Sequence, residues 1–463
     1  MVLPDHPYPS FFIPSLTGTV PKKYQLEVLQ PITMTLHVND LRIAEEIRPI
    51  FDSTHNDYSA QALTDLLAKP LSTKKEIWHR QDILKGFIAN RDVWKDYSFY
   101  RFDLSDVYEF FDTIFVGSVS PRKLWMKFFF SEKAREQKKG KLILMVRLFD
   151  ALSRQYLEKI NVHEFPALYA VELEGMKKFL ADFNLEYYEH RFTKNKFRVK
   201  QMVELMMKIT EKVVKGEMAL FWKRWFLFEA YLSISNCILE RNLAFPEFDD
   251  DQFMLAGCYH PILKNPVKND FNAHRSVNLL TGPNMSGKST FLKSVSLCVY
   301  LAHTGLAVPA ARAVLPFFES ISVAINLTDS IVTGYSHFMT EIMTLKNVLT
   351  DAERGTKCFA VFDELFRGTN IEDALEISTT TIRGFQKYPN SLFLISTHLH
   401  QLKEMDEIKN HLVATWYIDC QLKGDTPMFT YELKQGWNDL RLGRILFDRE
   451  GLDKMLQVSN PVN

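Results

Sequence analysis

The stretch VNLLTGPNMSGKSTFLK at 277–293 constrains the fold more than any other part of the chain. Gly282, Gly287, Lys288 and Ser289 satisfy the spacing GxxxxGK[ST]. An apolar run precedes the loop and an amphipathic helical pattern follows it, which is the context the motif requires. A strand feeding a phosphate loop and a helix implies an α/β sheet at this point of the chain. Glycines allow backbone N–H groups to turn toward phosphate oxygens, and the helix N-terminus adds a favourable dipole. The expected cradle is Gly282, Pro283, Asn284, Met285, Ser286, Gly287 and Thr290. Lys288 is expected to reach the β- and γ-phosphates of ATP, and Ser289 to ligate Mg²⁺.

The second element is FAVFDE at 359–364. Two acids at the end of an apolar strand are costly unless they serve a metal and a water. Asp363 is expected in the Mg²⁺ shell, and Glu364 as the group that polarises the attacking water. Two acids can also merely cap a strand, but a phosphate loop some 75 residues earlier argues for the functional role. A third apolar run, SLFLIST at 391–397, ends at His398. One histidine after a strand is more often structural. In this order of elements its imidazole stands where a γ-phosphate can be sensed.

The rest of the chain sets the frame. With 463 residues and 46% hydrophobic content it can bury more than one core. Residues 1–40 read as an extended lead-in. From 41 to 245, segments such as 141–160 and 198–239 place apolar residues at three- and four-residue spacing with few breakers, the pattern of an all-helical domain. From 246 to 463, short apolar runs (276–281, 358–364, 391–397, 428–433) alternate with helical patterns, the mark of a mainly parallel, helix-covered sheet. The joint lies near LAFPEFDDDQF, 243–253. Lys+Arg and Asp+Glu cancel at 56 each, so a nucleic-acid surface would have to be local. The five cysteines are scattered without a CxxC pair, which disfavours zinc and disulfides and fits a reducing cytoplasm. The N-terminus has no signal-like pattern, and the best apolar run, 295–311, is broken by His303, Gly305 and Pro309, so no membrane span is expected.

Several motifs together resemble the MutS mismatch-repair ATPases. TGPNMSGKST (281–290) is similar to that family's phosphate loop, with Pro-Asn-Met as its distinguishing insert. DELFRGTNIEDA (363–374) resembles its acid pair, GYSHFMTEI (334–342) its signature loop, and THLHQL (397–402) its histidine switch. GCYHPIL (257–263), VKNDF (267–271) and GLAVPA (305–310) extend the likeness, and LAKPLSTKKEIWHRQDILKGFIAN (67–90) resembles the opening of its helical core. The resemblance implies a helical core/lever domain followed by an ABC-type P-loop ATPase domain with a closing helical dimerisation element at 440–458. It implies a homodimer with composite ATP sites. Ser336 would reach the phosphates of the partner subunit, Asn284 and Asp373 would lie near that interface, and Asn269 near the adenine.

The departures shape the functional expectation. Family members that find mismatches carry a Phe-x-Glu wedge and a connector domain, and a helical core beginning near residue 45 leaves no room for either. The lever region is also short. Tyr335 replaces the usual signature Arg, Phe366 stands where the family has Gly, and Tyr259 precedes His260-Pro261 where Arg is usual. The expected function is ATP-driven closure and opening on DNA without direct mismatch reading. The alternative is an ATP-gated scaffold for a protein partner. Two basic stretches are candidates for phosphate contact: 122–147, with Lys133, Arg135, Lys138, Lys139 and Lys141, and 191–200, with Lys194, Lys196, Arg198 and Lys200. A solvated helix face is the commoner fate of such runs.

Overall fold

The computed structural model describes residues 34–98, 101–112, 114, 120–325, 337–366, 369–423, 426–440 and 442–456. Its first half is helical: α1 (Asp57–Ala68), α2 (Lys74–Ala89), α3 (Arg101–Asp112), α4 (Pro121–Phe130), α5 (Glu132–Ala151), α6 (Ala167–Ala181), α7 (Leu185–Thr193), α8 (Val199–Val214) and α9 (Glu217–Arg241). Local chemistry sets several of the starts. Thr73 and Glu76 form a reciprocal capping box at α2, with Glu76 N donating to Thr73 Oγ1 at 3.2 Å and Thr73 N to Glu76 Oε2 at 3.1 Å.

The pattern at 198–239 reads as one long helical stretch, yet the chain breaks it at Gly216. That residue takes φ +73°, a left-handed value open to glycine, and turns the chain from α8 into α9. The 25-residue α9 buries Phe221, Trp222, Trp225, Phe228 and Leu232 among many others. A helix apolar on nearly every side belongs in an interior. The exception is Glu229, 1% exposed, which accepts from His55 N (2.7 Å), His55 Nδ1 (3.0 Å), Asn56 Nδ2 (2.5 Å) and Ser59 Oγ (2.6 Å). Four donors thus fasten the start of α1 to α9, as a buried carboxylate requires.

The main sheet comprises β1 (Thr35–His37), β5 (Val277–Thr281), β7 (Ser320–Ala324), β8 (Cys358–Phe362), β9 (Leu392–Ser396), β10 (Ala414–Lys423) and β11 (Thr426–Gln435). Their order is β1-β7-β8-β9-β5-β10-β11, parallel throughout except for the antiparallel β10–β11 pair. Strands β5, β7, β8 and β9 are buried at every position, which explains their unbroken apolar runs. Residues 35–37 are more than a lead-in, because β1 pairs with β7 at one edge.

A smaller sheet, β2 (Glu247–Phe248), β6 (Arg312–Leu315), β3 (Met254–Cys258) and β4 (Asn269–Asn272), was not evident from the apolar runs. Around the sheets lie α10 (Lys288–His303), α11 (His337–Glu353), α12 (Ile371–Phe385), α13 (Leu442–Arg449) and α14 (Leu452–Leu456).

One buried cluster runs from Leu63 and Phe87 in the helices through Leu297 and Val299 of α10 to Phe359 of β8. The helical half and the sheet share this core. Three hydrogen bonds hold the end of α10 to the α1–α2 segment: Tyr300 OH to Leu67 O (2.8 Å), Arg80 Nη1 to Thr304 O (2.6 Å) and Leu71 N to His303 O (2.7 Å). Among the described residues no helix is long and apolar enough to cross a membrane. All five cysteines are free and buried.

Candidate nucleotide site

The site forms where three neighbouring strands end. Strand β9 lies between β8 and β5, so the loops after all three open on one edge of the sheet. This is the carboxyl side, where open α/β sheets gather their ligand groups.

The loop after β5 is shaped by backbone conformations that side chains resist. Gly282 has φ +140° and Gly287 φ +100°. A Cβ on Gly282 would stand 3.0 Å from Ser286 Oγ and 3.2 Å from Ile418 O, and one on Gly287 3.2 Å from the Tyr431 ring. Met285, at φ +68°, is 78% exposed, and the neighbouring Asn284 is exposed too. Ser286 Oγ is fully buried and has no hydrogen-bond partner among the described residues. An unsatisfied buried hydroxyl in such a loop fits an absent acceptor such as a phosphate oxygen. Thr290 is exposed on the first turn of α10.

Lys288 is 6% exposed. Its Nζ donates to Gly282 O (3.0 Å) and Pro283 O (3.3 Å) and lies 3.9 Å from Glu364 Oε1. Burial lowers its pKa, and Glu364 and then Asp363 pull it back up. Ser289 Oγ donates to Asp363 Oδ2, and Ser396 Oγ donates to Asp363 Oδ1. Ser396 Oγ in turn accepts from Glu364 N at 2.9 Å. The phosphate loop, the acid pair and the end of β9 are therefore one hydrogen-bonded unit. Asp363 and Ser289 place two oxygens together, and no cluster of three or more His, Cys, Asp or Glu able to hold a metal occurs among the described residues. Two protein oxygens suit Mg²⁺, which usually keeps several waters and takes further ligands from a nucleotide phosphate.

His398 follows β9 and is exposed. It lines a cavity of about 240 Å³ with Gly282, Pro283, Asn284, Met285 and Trp437. It also borders a smaller cavity of about 80 Å³ with Glu364.

Asn269 lines a third cavity, about 340 Å³, together with His260, Ser286, Gly287, Phe291 and Tyr431. Its Nδ2 donates to Tyr431 O (3.0 Å) and its Oδ1 accepts from Leu433 N (2.7 Å), so it also ties β4 to β11. This cavity, apolar on one side and adjoining the phosphate loop, has the size and lining of a base pocket.

The loop carrying Tyr335 and Ser336 lies outside the described residues. Asp373 sits in the first turn of α12, where Asn370 Oδ1 accepts from Asp373 N at 2.9 Å. Sequence reasoning passed over Ser396 and Tyr431. The first was hidden in the strand run SLFLIST, and the second takes φ +59° on a strand whose register no local pattern predicts.

Phe366, at the position of the family's Gly, has φ +65° and is completely buried. A left-handed phenylalanine costs roughly 1–2 kcal/mol, offset here by burial of the ring against Phe338. Its N–H donates to Glu341 Oε2 at 3.1 Å. Glu341 is 4% exposed, and burial pushes its carboxyl up to about 7 against the opposing pull of that N–H. The unfolded chain ionises this group near 4.5, so the folded state binds the extra proton between 4.5 and about 7. Stability therefore falls as pH rises across that window and levels off above it. Glu341→Gln should remove the fall and raise stability at pH above 7 by about 3 kcal/mol. Urea unfolding of both proteins on either side of the window tests this.

Residues 278–446 match the family model MutS domain V. The protein called DNA mismatch repair protein MutS in Bacillus licheniformis is 30% identical over 254 residues, 52% of this chain and 28% of that one. Its namesake in a Geobacillus strain is 29% identical over 295 residues, covering 62% and 32%, and that of Fusobacterium nucleatum 27% over 319 residues, covering 66% and 35%. The chain thus spans about a third of the length of these relatives. Together with the loop, acid pair and strand ends described above, these matches show that residues 278–446 of this chain are similar to MutS domain V.

Proposed function

We propose that this chain is a Mg²⁺-dependent ATPase of the MutS type, whose nucleotide cycle drives opening and closing on DNA. The observation that carries the reading is the single unit formed by Ser289, Asp363, Ser396 and Glu364 beside an unsatisfied Ser286 hydroxyl. Bound Mg²⁺·ATP would supply the phosphoryl group and neutralise charge on it. The chain's residues do the rest. Backbone N–H groups of 284–287 and the start of α10 hold phosphate oxygens, with Ser286 Oγ as a further donor. Lys288 exchanges its carbonyl partners for phosphate oxygens, while Ser289 and Asp363 hold the cation. Glu364 accepts a proton from the attacking water, His398 stands at the γ-phosphate side, and Asn269 borders the base.

The helical part, 41–245, acts as the core/lever domain and 246–463 as the ATPase domain with dimerisation helices. Helix α10 supports this coupling, since it starts at Lys288 and ends in the three hydrogen bonds to the α1–α2 segment. In a homodimer, Ser336 of one subunit would complete the site of the other. The protein works in the cytoplasm. Glu364→Gln should lower ATP turnover by about 100-fold or more while leaving nucleotide binding intact. Equal turnover of the two proteins in a phosphate-release assay would sink the catalytic assignment.

One observation favours the second reading, a protein-binding scaffold. Several cations of the 122–147 stretch are spoken for, all of them on α5: Arg135 pairs with Glu132 and Glu136, Lys139 with Glu136, and Lys141 with Asp106. Lys138 lies over the Phe110 ring. By contrast Lys194, Lys196, Arg198 and Lys200 are exposed, with no acidic partner among the described residues. Affinity for duplex DNA that drops steeply with salt supports the first reading, and absence of duplex binding supports the second.

A further inference from the structure

Helix α4 reads PRKLWMKFFF and shows two unlike sides. Leu124 and Phe128 are buried, and the helix packs on α5 and α8. Everything else it carries after Pro121 faces water. Trp125 is 43% exposed, Met126 50%, Phe129 53% and Phe130 78%. So many large apolar side chains on one exposed surface mark an interaction site. The rings are ordered. Trp125 and Phe129 stack with planes 12° apart and centroids at 4.6 Å, and Phe130 meets Phe129 edge-on.

The same helix exposes Arg122, Lys123 and Lys127, none of which has an acidic partner among the described residues. Lys123 and Lys127 are one turn apart and form a row beside Phe130, across the exposed face from Trp125 and Phe129, while Arg122 falls on the side of those two rings. Positive charge is crowded here: Lys127 and Lys141, after burial, hold the Lys138 pKa below its usual range. The unpaired run Lys194–Lys200 leads directly into α8, the helix on which α4 rests.

We propose that α4 is a platform for single-stranded nucleic acid, with bases stacking on Trp125 and Phe129 and backbone phosphates meeting Lys123, Lys127 and Arg122. Aligned aromatic planes on an exposed face flanked by unpaired cations suit unpaired bases, whose faces a duplex keeps hidden. A lipid surface would use the apolar area but has no need of parallel rings. The inference rests on the DNA reading for its class of partner, and it extends that reading to a strand state and a location far from the nucleotide motifs in sequence.

The test is fluorescence anisotropy with the full chain, a labelled oligo(dT) of about 20 nucleotides, and no ATP. Trp125→Ala/Phe129→Ala should weaken binding about 10- to 100-fold. Lys123→Gln/Lys127→Gln should lower the slope of log affinity against log salt by about 1.4. All four side chains are exposed, so circular dichroism and Tm should be unchanged. Wild-type affinity in the ring variant, or no oligo(dT) binding by wild type, overturns the proposal. Binding to phosphatidylserine vesicles that needs the rings, without oligo(dT) binding, replaces it with a membrane surface. ATP-dependent duplex binding is read on the same preparations. If it survives while oligo(dT) binding is absent, the platform alone falls. If oligo(dT) binds and ATP leaves duplex binding untouched, the proposed function falls and the platform stands.

Discussion

Lys288→Met should abolish measurable ATP turnover, a loss of about 100- to 1000-fold, while leaving the unliganded protein as stable as before or slightly more so. The two halves of this expectation come from one geometry. Lys288 is 6% exposed, and burial pushes its pKa down. In the unliganded protein two backbone carbonyls and a carboxylate at 3.9 Å compensate its charge only in part. An unbranched apolar side chain of similar length removes the desolvation cost and keeps most of the packing. The same change removes the one cation of the loop placed to meet phosphate charge. Steady-state phosphate release and urea unfolding check the two halves together. A large loss of stability would show that Lys288 is held mainly as a structural ion pair, and retained turnover would remove it from the site.

Glu229→Ala should cost about 3–5 kcal/mol of stability, as much as truncating a fully buried ring of the same helix. The carboxylate is 1% exposed and accepts four hydrogen bonds from residues 55–59. Truncation strands buried donors, among them the His55 N–H and the Asn56 amide, which is itself 2% exposed. It also frees the segment that begins α1, whose neighbour α2 carries Arg80 to the end of α10. Urea unfolding gives the cost. A change below about 1 kcal/mol would mean that water replaces the carboxylate and that the network is a surface feature.

The parts of the site legible in the sequence are those whose chemistry depends on covalent spacing. GxxxxGK[ST] is a local device, because the turn, the N–H groups and the lysine all belong to eight consecutive residues. Asp363 and Glu364 were legible for a similar reason: acids at the end of a fully apolar run contradict burial unless they have work there. Ser396 gave no such sign. Its hydroxyl acts only because β9 lies between β8 and β5, and strand order is not written into any one strand. The same holds for Tyr431, whose backbone oxygen meets Asn269 across 162 residues of chain. The basic stretch 122–147 is legible in the sequence only as charge, not as pairing. On α5, Arg135, Lys139 and Lys141 pair with Glu132, Glu136 and Asp106 of α3, which no count of basic residues foresees, whereas Arg122, Lys123 and Lys127 of α4 have no acidic partner among the described residues.

By itself the sequence determined the phosphate loop, the acid pair, the helical first half and the parallel character of the sheet, because each follows from local periodicity and spacing. Only the tertiary structure decided that Ser289, Asp363, Ser396 and Glu364 form one unit, that β1 joins the main sheet, and that α4 turns its aromatic rings outward. Those outcomes depend on which elements become neighbours. That choice is made by the burial of a shared core rather than by the residues on either side of any one position.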